Sequence, residues 1–391
     1  MDLGQPGNIK MVKQMNKESI LYRLRKQGSM SRADLAKATA LSRPTVSALV
    51  EEMIGEDLIC EIGEGASKAG RKPILLAYNY KLSAVIGAVF EGTVLHMALA
   101  DLKGDPLCQY TTRMNESVSG ERAILELEKG LHSLLFQSGY EKEKILGIGL
   151  GLPGITQKRN GTISYAPSTG WMGLPVQKEL EERLELPVTL DNDVNMMTLG
   201  EYYQGAGREV SNLIYMHIGT GIGAGIMLNR QFYRGSMEAA GEIGYMMIGP
   251  VQDRSQDGYG VFENNYAIPG ITERAKRLFP DLQEETSVVK QLLQKSSEGV
   301  REAEELLEEV LTHWSYGIAN MVSILDPELL ILNGEIVHIG EGGLRRMEAL
   351  LKNWVPVVPR MEFAVLGEQS GIIGAIYSAI ESFSTIRKIR S

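Results

Sequence analysis

Cysteine is scarce: the 391 residues contain two, Cys60 and Cys108. They lie far apart and outside any CxxC spacing, which excludes a disulfide framework and a cysteine-rich zinc site and leaves two reduced thiols. Long apolar runs are missing too. The opening MDLGQPGNIKMVKQMNKESI holds no stretch suited to a signal peptide, and no later segment reaches the roughly 18 uninterrupted apolar residues of a membrane span. A cytoplasmic protein without a membrane partner is expected. The histidines His96, His132, His217, His313 and His338 are scattered and read as ordinary core or surface residues.

What is present suits folded domains: 43% of residues are hydrophobic and 23% charged, a soluble globular composition. At about 100–200 residues per domain, the length predicts two or three domains. The net charge of −9 is uneven, because residues 1–75 carry 12 Lys/Arg against 9 Asp/Glu, a net of +3 that leaves −12 for the remainder. DNA contact is plausible only at the positive end.

Ile20, Leu21 and Leu24 share a helical face, predicting a first helix over 14–26 that stops at Gly28. Ser31 and Asp34 form a capping-box-like start for a short second helix ending near Thr39. Ser42 then caps a third helix with Pro44 in its first turn. Val46, Leu49, Val50 and Met53 make its buried stripe, leaving Arg43, Thr45 and Ser47 outside it to meet a major groove. Residues 57–65 and Ile74–Ala77 suit two wing strands. Between them, Gly70-Arg71-Lys72 offers a flexible glycine and two cations to a minor groove. Ser31, Arg32, Ser42, Arg43, Thr45, Ser47, Gly70, Arg71 and Lys72 are the candidate DNA-binding residues. The competing reading is a three-helix adaptor whose charges are merely solvated.

From about residue 80 strands alternate with helices and glycine-rich turns, so an α/β architecture is expected. Val85–Phe90, Val94–Ala100, Ile145–Leu150, Val188–Leu190, Leu213–Ile218, Ala224–Leu228 and Leu329–Leu332 read as strands. Leu307, Val310, Leu311, Trp314, Ile318, Met321, Val322 and Leu325 form one helical core stripe. Three segments look chemical. Asp191-Asn192-Asp193-Val194-Asn195 clusters carboxylates and amides at a strand end, where α/β proteins place ligands. Gly219-Thr220-Gly221-Ile222-Gly223-Ala224-Gly225 is a turn whose amides can approach a phosphate or a neighbouring chain. Gly241-Glu242-Ile243-Gly244-Tyr245 adds a carboxylate in another glycine-rich turn.

These segments, with Leu152-Pro153-Gly154, Gly170-Trp171, Leu186-Pro187-Val188, Leu332-Asn333-Gly334-Glu335 and Gly374-Ala375, resemble the ROK family over nearly the whole chain. That family joins bacterial sugar kinases and sugar-responsive repressors. The helix-turn-helix followed by Gly70-Arg71-Lys72-Pro73 is similar to its repressor branch. The resemblance implies an α/β fold: an N-terminal winged helix-turn-helix over 1–78, then a two-lobed actin-like ATPase (ribonuclease H-like) sugar-kinase fold. Its smaller lobe is expected over 79–192 and 374–391, and its larger, dimerising lobe over 193–373.

Departures from the family set the expected mechanism. Family kinases hold magnesium and nucleotide phosphate with D-x-G-G-T, and the matching stretch is Val89-Phe90-Glu91-Gly92-Thr93. A valine cannot organise magnesium, and Glu91 would repel a triphosphate. The glycine turn is therefore expected not to meet ATP. The family's zinc histidine is replaced by Tyr245 and its three cysteines by Arg254, Gln256 and Val261, so no zinc is expected. By resemblance Asn192, Asp193, Glu242, Tyr245 and Glu263 are the sugar-binding candidates, with Asp193 a ligand rather than a base. Ser168 replaces a family asparagine, which leaves sugar identity open. The expected partners are a double-stranded DNA operator, a sugar or sugar phosphate effector, and further copies of the chain as a homodimer or dimer of dimers. No cofactor and no catalytic residue is expected. An active sugar kinase with an accessory DNA-binding domain, and a dimerisation scaffold without a ligand, are the competing functions.

Overall fold

The computed structural model describes every residue except 1–5, 66–71, 115–119, 159, 166–174, 251–258, 284 and 385–391. The chain divides into two compact units: one runs to Ala84 and includes 101–105, and the other comprises Val85–Ala100 and Pro106–Ser384. In the first, α1 (Pro6–Gln27), β1 (Met30–Ser31), α2 (Arg32–Thr39), α3 (Arg43–Gly55), β2 (Ile59–Glu64) and β3 (Ile74–Tyr78) follow in order. Ile20, Leu24, Leu35, Val46, Leu49, Val50 and Met53 interlock with Ile59 and Leu76 in one core.

Local chemistry sets these boundaries. Ser31 Oγ accepts from Asp34 N at 3.2 Å while Asp34 accepts from Ser31 N at 3.3 Å, satisfying two orphan amides reciprocally. Ala40, left-handed at φ 58°, ends α2. Ser42 caps α3, with Pro44 in its first turn. Helix α1 begins well before residue 14: residues 10–15 are exposed, and Lys13 and Lys17 tie the helix to Glu52 and Glu56. Apolar periodicity cannot register such turns. Strand β3 lies between β1 and β2, with Ile59 opposite Tyr78 and Met30 opposite Leu76.

The second unit opens with β4 (Ala84–Glu91), β5 (Val94–Asp101), β6 (Pro106–Arg113) and α4 (Gly120–Ser138). There follow β7 (Ile145–Leu152), β8 (Ile155–Gln157), β9 (Thr162–Tyr165), α5 (Val176–Leu184), β10 (Val188–Asn192) and α6 (Asp193–Gln204). Next come β11 (Leu213–Ile218), β12 (Ile222–Leu228), β13 (Gln231–Phe232), α7 (Val261–Tyr266), α8 (Ile268–Leu278), α9 (Val288–Ser297) and α10 (Arg301–Leu325). The unit closes with β14 (Leu329–Gly334), α11 (Gly340–Leu351), β15 (Arg360–Phe363) and α12 (Gln369–Phe383).

Its strands form two five-stranded sheets, ordered β10-β7-β4-β5-β6 and β13-β12-β11-β14-β15. The pairs β10–β7, β11–β14 and β14–β15 are parallel, and the central strands β7, β11 and β14 are almost wholly buried runs, as parallel strands covered on both faces must be. Strand β12 starts two residues before the expected Ala224, because Gly223 keeps pairing with His217 and Ile222 with Ile218. The stripe read on α10 is core: Val310, Trp314, Ile318, Met321 and Val322 are buried, and Trp314 Nε1 donates to Tyr266 O at 2.9 Å.

Helices α6 and α12 meet backbone to backbone. A Cβ on Gly374 would lie 1.7 Å from Met196 O, and one on Gly200 2.0 Å from Ser370 O. Neither obstacle is a movable side chain. Gly374→Val is therefore expected to cost about 2 kcal/mol through forced separation of the helices. Urea unfolding checks this, and a loss under about 0.5 kcal/mol, the size of an ordinary surface change, would contradict the close approach.

Candidate functional site

Of the DNA-binding candidates, those on α3 are displayed as a reading face requires. Ser42, Arg43, Thr45 and Ser47 are exposed beside the buried Val46. Arg43 has no ion pair among the described residues and extends from the first turn. Ser42 and Thr45 share a hydroxyl contact at 2.8 Å, which orients both.

The candidates before α3 are engaged within the fold. Ser31 is 5% exposed and donates its hydroxyl to Asp34 Oδ2 at 2.7 Å, which positions α2. Arg32 is held by Glu51 at 2.7 Å and Glu61 at 3.3 Å, joining α2 to α3 and the wing. Lys72 is exposed and lies 3.5 Å from Glu64 across the wing. Gly70 and Arg71 lie outside the described residues.

In the second unit, the end of β10, the start of α6, the β11–β12 turn, Gly241-Glu242 and α7 line one cleft of about 230 Å³. Asn192, Asp193, Glu242, Tyr245 and Glu263 all reach it. Asn192 is the cap of α6: Oδ1 accepts from Val194 N at 2.8 Å and Asn195 N at 3.2 Å, while Nδ2 donates to Gly154 O at 3.0 Å. A single amide hydrogen remains for a ligand. Asp193 accepts from Val194 N at 2.9 Å, and Glu263 Oε2 accepts from Ile222 N at 2.8 Å. Glu263 comes this close because Gly221 and Gly244 lack side chains, where a Cβ would meet Oε2 at 2.8 and 2.9 Å.

Asp191, beside these groups in sequence, is 1% exposed and faces inward. It accepts from Asn192 N at 2.9 Å and Asn195 Nδ2 at 2.7 Å and pairs with Arg234 at 2.6 Å. It anchors the loop after β13. His217, read from sequence as ordinary core or surface, belongs to the cleft wall, with a buried Nδ1 that has no partner among the described residues. Its position two residues before Gly219-Thr220-Gly221 was the available signal. Tyr259 also lines the cleft and was not singled out.

Burial raises the Glu242 carboxyl to about 7, with Glu263 and Asp193 adding repulsion. Burial alone raises Asp193 to about 6, despite the Val194 amide. Glu91 rises to about 7, through burial and then through Asp193 and Glu368. Above the ordinary carboxylate range the folded chain thus holds protons that the unfolded chain has released, so stability falls as pH rises through these values. His217, lowered to about 4 by burial, and His96, also lowered by burial, oppose this as pH approaches their ordinary 6.5. Between about pH 8 and pH 6.5 the three carboxylates together outweigh the two histidines. The melting temperature is expected to rise as pH drops through that interval, with a shallower slope for Glu242→Gln. Parallel slopes in thermal unfolding would remove Glu242 from the cause.

The positions matching the family's metal and nucleotide groups do not fit them. Val89 is 0% exposed, and its methyls pack so closely on Gly151 and Gly371 that a Cβ there would lie 2.9 and 3.3 Å away. Val89 has no side-chain oxygen to offer magnesium, and the next residue but one, Glu91, has a buried Oε1 without a partner among the described residues. For zinc, Tyr245 and Val261 offer a phenol and an isopropyl group. Arg254 and Gln256, like Ser168, lie outside the described residues. Among the described residues no group of three His, Cys, Asp or Glu could hold a metal ion, and no helix is long and apolar enough to cross a membrane.

Comparison with known proteins matches a winged helix-turn-helix DNA-binding model over residues 16–59. The xylose repressor of Caldicellulosiruptor bescii is 29% identical over 388 residues, covering 96% of this chain and 97% of that protein. A glucokinase of Halalkalibacterium halodurans is 28% identical over 309 residues, covering 74% and 92%. The crystal structure of a ROK family transcriptional regulator, a homolog of the Escherichia coli MLC protein, shares the fold with a TM-score of 0.76 at 22% identity, over 97% of this chain and 99% of that one. The ROK family model itself matches residues 87–382, and the chain belongs to the ROK family.

Proposed function

We propose that this protein is a DNA-binding repressor of carbohydrate-metabolism genes whose ROK region binds a sugar or sugar derivative and does not phosphorylate it. The observation that carries the second half is Val89, an aliphatic side chain sealed into the place of a magnesium-holding acid. Without that acid a triphosphate lacks its metal, and Glu91 adds charge of the wrong sign. The first half rests on the exposed first turn of α3, the winged helix-turn-helix match and the full-length likeness to a protein named xylose repressor. The sugar ligands are Asn192, Asp193, Glu242, Tyr245 and Glu263, and the chain acts as a homodimer or dimer of dimers on a palindromic operator.

An effector switches such a dimer only by binding one arrangement better than another. The test uses a duplex selected by the full-length protein from a random pool. A sugar is expected to change the gel shift, while a coupled assay shows no sugar-dependent ADP formation. The competing kinase reading is favoured by Asp193, whose carboxyl is raised to about 6 as a general base near neutrality would be. Sugar-dependent ATP turnover abolished by Asp193→Asn would establish it.

A further inference from the structure

We propose that the cleft accepts an uncharged monosaccharide and excludes phosphorylated or carboxylated ones, an inference that rests on the sugar-effector reading above. Asp193, Glu242 and Glu263 line it, and none of the lining residues among those described is a lysine or arginine. The nearby cation Arg234 is committed to Asp191 at 2.6 Å. His217, a further nitrogen base on the wall, is kept neutral near pH 7 because burial disfavours its charged form.

Several of the backbone donors, the other means of holding a phosphate, are also engaged. A helix start normally attracts anions, but at α6 the Val194 and Asn195 amides already donate to Asn192 and Asp193. Within the glycine turn Gly219 N donates to Gly221 O at 2.8 Å and Ala224 N to Gly241 O at 2.8 Å. Ile222 N donates to Glu263. What the cleft offers is carboxylate acceptors, which match the O–H donors of a neutral polyol. Its volume of about 230 Å³ is smaller than the roughly 300–1,000 Å³ of sites for drug-sized ligands, as suits one sugar ring.

An added unit charge about 8 Å from one of these carboxylates at an effective dielectric near 20 weakens binding about 30-fold. Calorimetry on the full-length protein compares aldopentoses and aldohexoses with their terminal phosphates and the matching uronic acids. The expected result is one neutral sugar that binds at least about 30-fold tighter than its charged derivatives, with Glu242→Gln narrowing that ratio. A phosphate ester that binds as tightly as its parent sugar overturns the proposal and leaves the effector reading standing. Failure of every sugar to bind or to alter the gel shift overturns both.

Discussion

Arg43→Ala is expected to weaken operator binding roughly 5- to 150-fold, the equivalent of about 1–3 kcal/mol for a side chain that reads a base edge. The geometry makes the substitution clean. Arg43 is exposed, sits in the first turn of α3 and has no ion pair among the described residues, so its loss leaves the core of the first unit intact. Fluorescence anisotropy at one fixed salt concentration, against the selected duplex and its single-base variants, separates base reading from phosphate contact. Affinity must fall and preference must relax at one position. A uniform loss across all duplexes would make Arg43 a phosphate contact, and a change under about twofold would remove it from the interface. Arg32→Ala is the contrasting variant, because it breaks the contacts to Glu51 and Glu61 and lowers stability before it changes preference.

Asp193→Ala is expected to raise the effector concentration needed for response by roughly 10- to 150-fold, since a hydrogen bond to a charged group contributes about 1.5–3 kcal/mol. Operator affinity without sugar stays within about twofold, because coupling passes only through the ligand. Asn192 still caps α6 when Asp193 is truncated, so the helix start keeps its main acceptor. Titration of sugar against a preformed protein–DNA complex measures this, with Asp193→Asn falling between alanine and wild type. An unchanged midpoint for the alanine variant would place the effector elsewhere.

The elements most legible in the sequence were those whose burial is periodic. Val46, Leu49, Val50 and Met53 announce α3 because a helix that packs one face must repeat its apolar residues, and the strand cores of the second unit show themselves as short apolar runs. The cleft carboxylates were found through the resemblance, and the structure brings all five sugar-binding candidates to one place.

What stayed hidden depends on partners distant in sequence. Nothing near Arg32 indicates that Glu51 and Glu61 will hold it, and nothing near Asp191 points to Arg234. Ser31 was legible as a cap, since its hydroxyl accepts from Asp34 N and donates to Asp34 Oδ2. His217 looks like any histidine in a strand until β11 is seen beside β14, ending at the glycine turn.

In α3 the residues that face outward and those that hold the helix down are interleaved but separate: Arg43, Thr45 and Ser47 outside, Val46, Leu49, Val50 and Met53 inside. Duplicated genes for such a chain can therefore acquire new chromosomal addresses one substitution at a time, with folding untouched. Divergence in what is regulated can run far ahead of divergence in shape.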